Sequence, residues 1–197
     1  MENYYKTLPE GYREAKIVDA KAKKTSILFT LFSFVLTVAV LLPIILNCDY
    51  DEISTSFRNK GTLVAYLVMI VGMIVYIILH ELTHGIAYKA LTHQKLTYGF
   101  TLTVAFCGVP DIYTSRRTAL VALAAPFVTF SVILLPLVLW FHSVNMLYYL
   151  VFGVIFSMHF GGCIGDLYMM YLLLFKYTDP RILMNDTGPK QTIYIPE

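Results

Sequence analysis

The sequence has few charged residues, because Asp, Glu, Lys and Arg together make up 14% of its 197 residues. A soluble globular domain is nearer a quarter charged, so this low value excludes an ordinary soluble enzyme and a disordered chain. The formal net charge of +2 is too small to indicate a nucleic-acid-binding protein. The three cysteines, Cys48, Cys107 and Cys163, are odd in number and far apart, so the sequence predicts no disulfide framework.

The sequence is instead rich in long apolar runs. Hydrophobic residues make up 57% of the chain, and the mean hydropathy is +0.65. Four runs are long enough to cross a hydrocarbon core of about 30 Å as helices; they are residues 25–46, 62–91, 118–140 and 146–175. We therefore predict an all-α membrane protein with a four-helix transmembrane bundle.

The basic residues orient these four spans. The N-terminal segment is rich in Lys and Arg, and the segment 92–117 and the tail also carry basic residues, whereas the loop 47–60 is acidic on balance. By the positive-inside rule, this pattern predicts a multi-pass protein of the cell membrane with both termini in the cytoplasm. We divide the chain into a cytoplasmic N-terminal segment (1–24), a four-span membrane domain (25–177) and a cytoplasmic C-terminal tail (178–197).

The segment after the second predicted span has a different periodicity. From Leu96 to Phe106, apolar residues occupy alternate positions, which is the period of a β-strand. We predict a small strand or hairpin that lies at or dips into the inner membrane face, with an irregular amphipathic loop as the alternative. The tail also alternates, from Gln191 to Ile195, and could add to the edge of this strand as an autoinhibitory strap.

A group of ionisable residues, His80-Glu81-Leu82-Thr83-His84, lies inside the second apolar run. Residues four apart lie one turn above each other on a helix, so His80 and His84 can bind one Zn²⁺. Glu81 can then act as the general base toward water activated by the metal. Ionisable residues are costly inside a membrane and indicate function by default; a cluster of interfacial polar residues at a helix end is the structural alternative.

A catalytic zinc site needs a third protein ligand, and the fourth predicted span offers Asp166 and His159. Both relevant spans run from outside to inside in the predicted topology. His80 lies about 27 Å along its helix from Thr62, and Asp166 lies about 30 Å along its helix from Met146. The two therefore reach a similar depth in the inner part of the bilayer. His159 lies about 10 Å further toward the outside, and it is an alternative ligand or a residue that supports the site.

Small residues next to Asp166 indicate close helix packing. Gly161 and Gly165 are four residues apart, and such pairs let two membrane helices approach closely. Because an aspartate side chain is short, we expect this pair to bring Asp166 against the helix that carries the two histidines. One Zn²⁺, two neutral imidazoles and two carboxylates then sum to zero charge, whereas unpaired carboxylates would be expensive at that depth.

The HELTHG motif inside an apolar helix, the β-like segment after it and the GGCIGD sequence of the fourth span resemble the zincin-peptidase membrane protein family. More distantly, the chain is similar to intramembrane metalloproteases of the site-2-protease kind. This resemblance implies that His80 and His84 are the first two metal ligands, Glu81 is the base and Asp166 is the third ligand. It also implies that Thr129, which ends the sequence AAPFVT, takes part in oxyanion or substrate binding.

Together these features predict a zinc-dependent intramembrane endopeptidase that hydrolyses peptide bonds of membrane or membrane-associated proteins. The alternating segment would hold an extended substrate by main-chain hydrogen bonds, and its substrate-binding candidates are Thr97, Gly99, Thr101 and Thr103. The alternative is a membrane protein without catalysis: a metal-binding scaffold, a regulator or a transport component. We expect the lipid bilayer and a membrane protein or peptide substrate as partners and no nucleic acid, and a homo-oligomer is left open.

Overall fold

The structure is a computed structural model that describes residues 2–56, 61–101 and 105–197. The helices are α1 (Lys23–Leu46), α2 (Tyr50–Ser56), α3 (Gly61–Thr92), α4 (Arg116–Val144), α5 (Met146–Gly162) and α6 (Ile164–Tyr171), which is followed by one turn of π-helix, Leu172–Lys176. The strands are β1 (Tyr4–Tyr5), β2 (Tyr12–Asp19), β3 (Thr97–Phe100), β4 (Ala105–Gly108), β5 (Tyr113–Ser115), β6 (Leu183–Asp186) and β7 (Lys190–Pro196). The described chain is therefore mostly helical, as predicted.

Three helices of the described chain, α1, α3 and α4, are long and apolar enough to cross a membrane. The pair of α5 and α6, with the π-helical turn, makes a fourth span if the broken pair counts as one. These helices correspond to the four apolar runs of the sequence, and they indicate a membrane protein. The assembly of the four spans into one bundle and the cytoplasmic placement of both termini stay predictions.

The break in the fourth apolar run decides where Asp166 lies. α5 begins after Asn145, whose side-chain oxygen accepts a hydrogen bond from the backbone N–H of Tyr148, as expected of an N-cap. The helix ends one residue before Cys163, whose N–H donates to the His159 carbonyl over 3.1 Å. α6 begins one residue later, so Asp166 lies in the first turn of a new helix. Acidic side chains are favoured there by the helix dipole.

The terminal segments form a sheet, so the prediction of an all-α protein is wrong in this respect. Five antiparallel strands are arranged in the order β1-β5-β6-β7-β2. β2 pairs with β7 from Tyr12↔Pro196 to Asp19↔Lys190, β6 pairs with β7, and β5 lies between β1 and β6. Most of the strands are short, and most of the paired strands lie far apart along the chain. The sequence pattern of the polar ends therefore does not predict the sheet.

The predicted hairpin after the second span is present. β3 and β4 form a separate two-stranded antiparallel sheet, from Thr97↔Gly108 to Phe100↔Ala105, and residues 102–104 of the segment that connects them lie outside the described part of the chain. Its association with the membrane stays a prediction. The predicted addition of the tail to this hairpin is wrong, because β7 has β6 on one side and β2 on the other.

The chain forms two compact units. The first spans Met1–Thr30, Leu79–Pro126 and Gly165–Glu197, and its core contains Ala119, Leu123, Met169, Leu173, Met184 and Ile193. The second spans Leu31–Ile78 and Phe127–Ile164, and its core contains Ile44, Ala65, Phe130, Leu134, Leu147 and Ile155. The five-stranded sheet, the hairpin, the HELTHG motif and Asp166 all belong to the first unit.

The glycine pair of the fourth span faces α1. In the second unit, a Cβ at Gly161 would overlap the Thr37 hydroxyl and lie 2.8 Å from the Ser33 carbonyl oxygen. In the first unit, a Cβ at Gly165 would lie 3.8 Å from the ring of Phe29. The pair therefore permits close approach of α1, and the prediction that it faces the helix of the two histidines is wrong.

Candidate functional site

α3 presents the two motif histidines side by side. His80 and His84 lie on one face because they are four residues apart on a helix, and each is only 7% exposed. Their ring centroids are 5.0 Å apart and their planes meet at 73°. Glu81 follows on the adjacent face and is partly buried. The motif thus has the helical arrangement predicted from its spacing.

Asp166 of α6 contacts both of these histidines. Its Oδ2 lies 3.3 Å from His80 Nε2 and 3.3 Å from His84 Nε2. One ligand atom from each of the three residues lies within 4.8 Å of the others. The structure therefore brings together the three side chains that the sequence offers as metal ligands.

The spacing of these three atoms fits a metal site better than an ion pair. A charge-assisted N–H···O hydrogen bond is usually about 2.7–2.9 Å long, which is shorter than the 3.3 Å observed here. Two ligands of a tetrahedral zinc ion, each about 2.1 Å from it, lie about 3.4 Å apart. Imidazole nitrogen and carboxylate oxygen are also donors that zinc uses. The residues present therefore fit a zinc ion.

The other ring nitrogen of His84 fixes its tautomer. Nδ1 lies 2.8 Å from the carbonyl oxygen of Ala122 on α4. A carbonyl can only accept a hydrogen bond, so Nδ1 carries the hydrogen and donates it. The lone pair of the neutral ring then lies on Nε2, which faces Asp166, and this arrangement is typical of a metal-binding histidine. Residue type does not indicate this role of Ala122, because any residue supplies a backbone carbonyl.

His159 lies in the second unit, where it is fully buried. Its Nδ1 lies 3.0 Å from the Tyr76 hydroxyl and its Nε2 lies 3.1 Å from the Ser131 hydroxyl. Its ring also stacks on Phe127, with centroids 5.7 Å apart. Hydroxyl groups therefore engage both ring nitrogens, and the predicted role of His159 as an alternative ligand stays a prediction.

The substrate-binding candidates are spread over both units. Thr97 and Gly99 lie on β3, and a Cβ at Gly99 would overlap the ring of Phe106. Thr101 follows β3 and is partly buried, whereas Thr103 lies outside the described residues. Thr129 lies on α4 in the second unit with an exposed side chain. Their role in binding stays a prediction.

The first unit also contains a buried carboxylate that the sequence pattern does not indicate. Asp186, at the end of β6, is 2% exposed. Its Oδ2 accepts hydrogen bonds from the Tyr88 hydroxyl at 2.7 Å and from Gln191 Nε2 at 3.2 Å, and its Oδ1 accepts from the Gly188 N–H at 2.8 Å. Burial raises the pKa of Asp186 to about 6. Because Tyr88 is four residues past His84, this carboxylate ties the end of the motif helix to β6.

The family model described as "Putative zincin peptidase" matches residues 73–179. The match covers more than half of the chain and includes the HELTHG motif, the hairpin and Asp166. Comparisons with curated proteins and with solved structures found no match.

Proposed function

The chain belongs to this family of zincin peptidases, and we propose that it is a zinc-dependent intramembrane endopeptidase. The observation that carries the proposal is the joint approach of His80 Nε2, His84 Nε2 and Asp166 Oδ2. These three side chains would hold the ion, and three is the number of protein ligands that a catalytic zinc site uses beside its open position. The long apolar helix α3, which carries the motif, supports membrane or membrane-associated proteins as the substrates.

The residues of the motif divide the chemistry between them. When bound, zinc supplies a Lewis acid that polarises a carbonyl group and makes water more acidic. The Glu81 carboxylate accepts a proton from the attacking water and passes it to the amide nitrogen of the peptide bond, which leaves as an amine. The water oxygen bonds to the carbonyl carbon and the C–N bond breaks, so one water molecule is consumed for each new carboxyl and amino group. His84 Nδ1–H donates to the Ala122 carbonyl, which keeps its Nε2 directed at Asp166.

The β3–β4 hairpin is the proposed docking element for the substrate. The two strands pair with each other, and an extended peptide can add to such a ribbon by main-chain hydrogen bonds. The exposed side chain of Thr97 and Thr101 just past β3 would contact it. A substrate that enters as a transmembrane helix must first unwind, because the backbone carbonyls of a helix are hydrogen-bonded within the helix.

The decisive variant is Glu81→Gln, which keeps the size of the side chain and leaves the three ligands in place. The purified full-length chain is reconstituted with detergent-extracted membrane proteins of the expression host, and new amino termini are identified by mass spectrometry. We expect the variant to retain wild-type zinc content and to lose about 100- to 10,000-fold in cleavage rate, because it lacks the general base.

Glu14→Gln is the matched control, since Glu14 is exposed on β2, and it should cleave like the wild type. Equal cleavage by the wild type and Glu81→Gln would refute the proposal. Bound zinc without Glu81-dependent cleavage would favour the alternative, a metal-binding scaffold, regulator or transport component.

A further inference from the structure

The residue after the second histidine of the motif is a glycine, and a tyrosine of the hairpin occupies the space where its side chain would lie. A Cβ at Gly85 would overlap the Tyr98 hydroxyl, and it would lie 2.8 Å from Tyr98 Cζ and 3.1 Å from a methyl carbon of Leu96. Gly85 is buried. The phenol group of β3 therefore lies directly on the backbone of α3, and glycine at position 85 is what permits this approach.

This contact places the phenol group on the face of α3 that carries the general base. Gly85 is four residues past Glu81, and residues so spaced share a helix face with Cβ positions about 5–6 Å apart. After burial and Cys107, the charge of Glu81 also raises the pKa of Tyr98. The Tyr98 hydroxyl thus lies about one helical turn from Glu81 and next to the backbone that follows His84.

The hydrogen of this hydroxyl is held by a weak acceptor. Tyr98 lies opposite Cys107 in the hairpin register, and its hydroxyl hydrogen-bonds to the Cys107 thiol. Burial raises the pKa of Cys107 to about 12, so the group stays a neutral thiol at physiological pH. Neutral sulfur is a weak acceptor, and a carbonyl oxygen that enters the site would compete successfully for the same hydrogen.

We propose, on the basis of the peptidase function proposed above, that Tyr98 is a further catalytic residue whose hydroxyl donates a hydrogen bond to the carbonyl oxygen of the peptide bond being cleaved. The Tyr98 side chain is 46% exposed, so a peptide can reach it. Donors aimed at this oxygen stabilise the negative charge that develops on it in the transition state. The hydroxyl keeps its proton, and the bond from Tyr98 to Cys107 is exchanged for one to the substrate.

The test is Tyr98→Phe, which removes the hydroxyl and keeps the ring on Gly85. The site cut fastest by the wild type in the membrane-protein digest is synthesised as a fluorogenic peptide, and kcat and KM are measured. We expect kcat to fall about 100-fold, as on loss of one such donor, with a rise in KM of no more than about 12-fold, the value of one hydrogen bond to the bound peptide, and with wild-type zinc content. Tyr113→Phe is the control, since Tyr113 lies on β5 against Tyr194, and it should keep the wild-type kcat.

A second measurement needs no turnover. In the Glu81→Gln background, fluorescence anisotropy should show that Tyr98→Phe weakens binding of the same peptide about 2- to 12-fold, the value of one hydrogen bond.

If Tyr98→Phe does not fold, trifluorotyrosine inserted at position 98 keeps the ring and the donor but makes the phenol more acidic. Burial raises the pKa of the Tyr98 hydroxyl, so in the wild type this group loses its proton only at alkaline pH. In the fluorinated protein, the fall of kcat at alkaline pH should therefore begin at a lower pH than in the wild type.

The outcomes separate this proposal from the one on which it rests. Cleavage that does not depend on Glu81 would refute the peptidase function. Glu81-dependent cleavage in which Tyr98→Phe keeps wild-type kcat and binding, or an alkaline limb that fluorination does not move, would refute the role of Tyr98 alone.

Discussion

The buried carboxyl of Asp186 should make the stability of this protein depend on pH. Burial raises its pKa to about 6 in the folded protein, against about 3.9 in an unfolded chain. A raised pKa means that the folded state holds the proton more tightly. The group therefore stabilises the fold fully below about pH 4, and this stabilisation is lost as the pH rises through 6.

The size of the effect follows from the shift and from the partners of the carboxyl. A shift of about two pKa units corresponds to about 3 kcal/mol. Asp186→Asn removes the charge and can keep every contact: its amide oxygen accepts from Gly188, and its NH₂ group donates to the Tyr88 oxygen and to the side-chain oxygen of a flipped Gln191. We expect the variant to exceed the wild type in stability by up to about 3 kcal/mol at pH 8, and to equal it near pH 4.

Denaturant unfolding of the detergent-solubilised chain between pH 4 and pH 8, followed by near-UV circular dichroism, measures this difference. Asp111→Asn is the control because Asp111 is exposed, and it should show the pH dependence of the wild type. If Asp186→Asn loses stability with rising pH as steeply as the wild type, the reasoning from burial is refuted.

Two further predictions concern the metal ligands and the helix packing. Asp166→Ala should lower the zinc bound per chain, measured by atomic absorption, because it removes one of three ligands. His159→Ala should keep a zinc content near that of the wild type. Loss of zinc in His159→Ala but not in Asp166→Ala would refute the choice of Asp166 as the third ligand. Gly161→Val should lower the free energy of unfolding by about 1–3 kcal/mol, because its side chain would overlap Thr37 of α1. Gly162→Val should cost less in the same unfolding assay, since its nearest contact is 3.7 Å away.

The approach of His80, His84 and Asp166 could be predicted because most of the information that defines it is local. His80 and His84 are four residues apart, and one helical turn fixes their relation. Asp166 is far away in sequence, yet two membrane helices of known rise convert residue counts into depth, and the two estimates place it level with His80. The observed 3.3 Å contacts are consistent with that arithmetic.

The remaining features depend on which elements meet, and residue patterns carry little of that information. The strand β7 was predicted from alternation alone, but its partner β2 lies at the other end of the chain. Gly161 indicates that some helix packs closely without saying which one. In the sequence, nothing separates Tyr98 from the other residues of its strand. Only its contact with Gly85 in the structure distinguishes it. The glycine that ends HELTHG was the one signal in the sequence that a neighbour approaches there.

The first unit contains a partly buried carboxylate, Asp166, and a buried one, Asp186, and their surroundings differ in a way that bears on the metal. Asp186 accepts hydrogen bonds from three neutral donors, which satisfy both of its oxygens and need no cation. Asp166 instead directs one oxygen at two imidazole nitrogens, and for His84 the bond to Ala122 leaves a lone pair on that nitrogen. A lone pair and a carboxylate oxygen repel each other unless a proton or a metal ion lies between them. Asp186 is thus held by the protein alone, whereas the geometry at Asp166 requires a positive charge, and a bound zinc ion would supply it to both histidines at once.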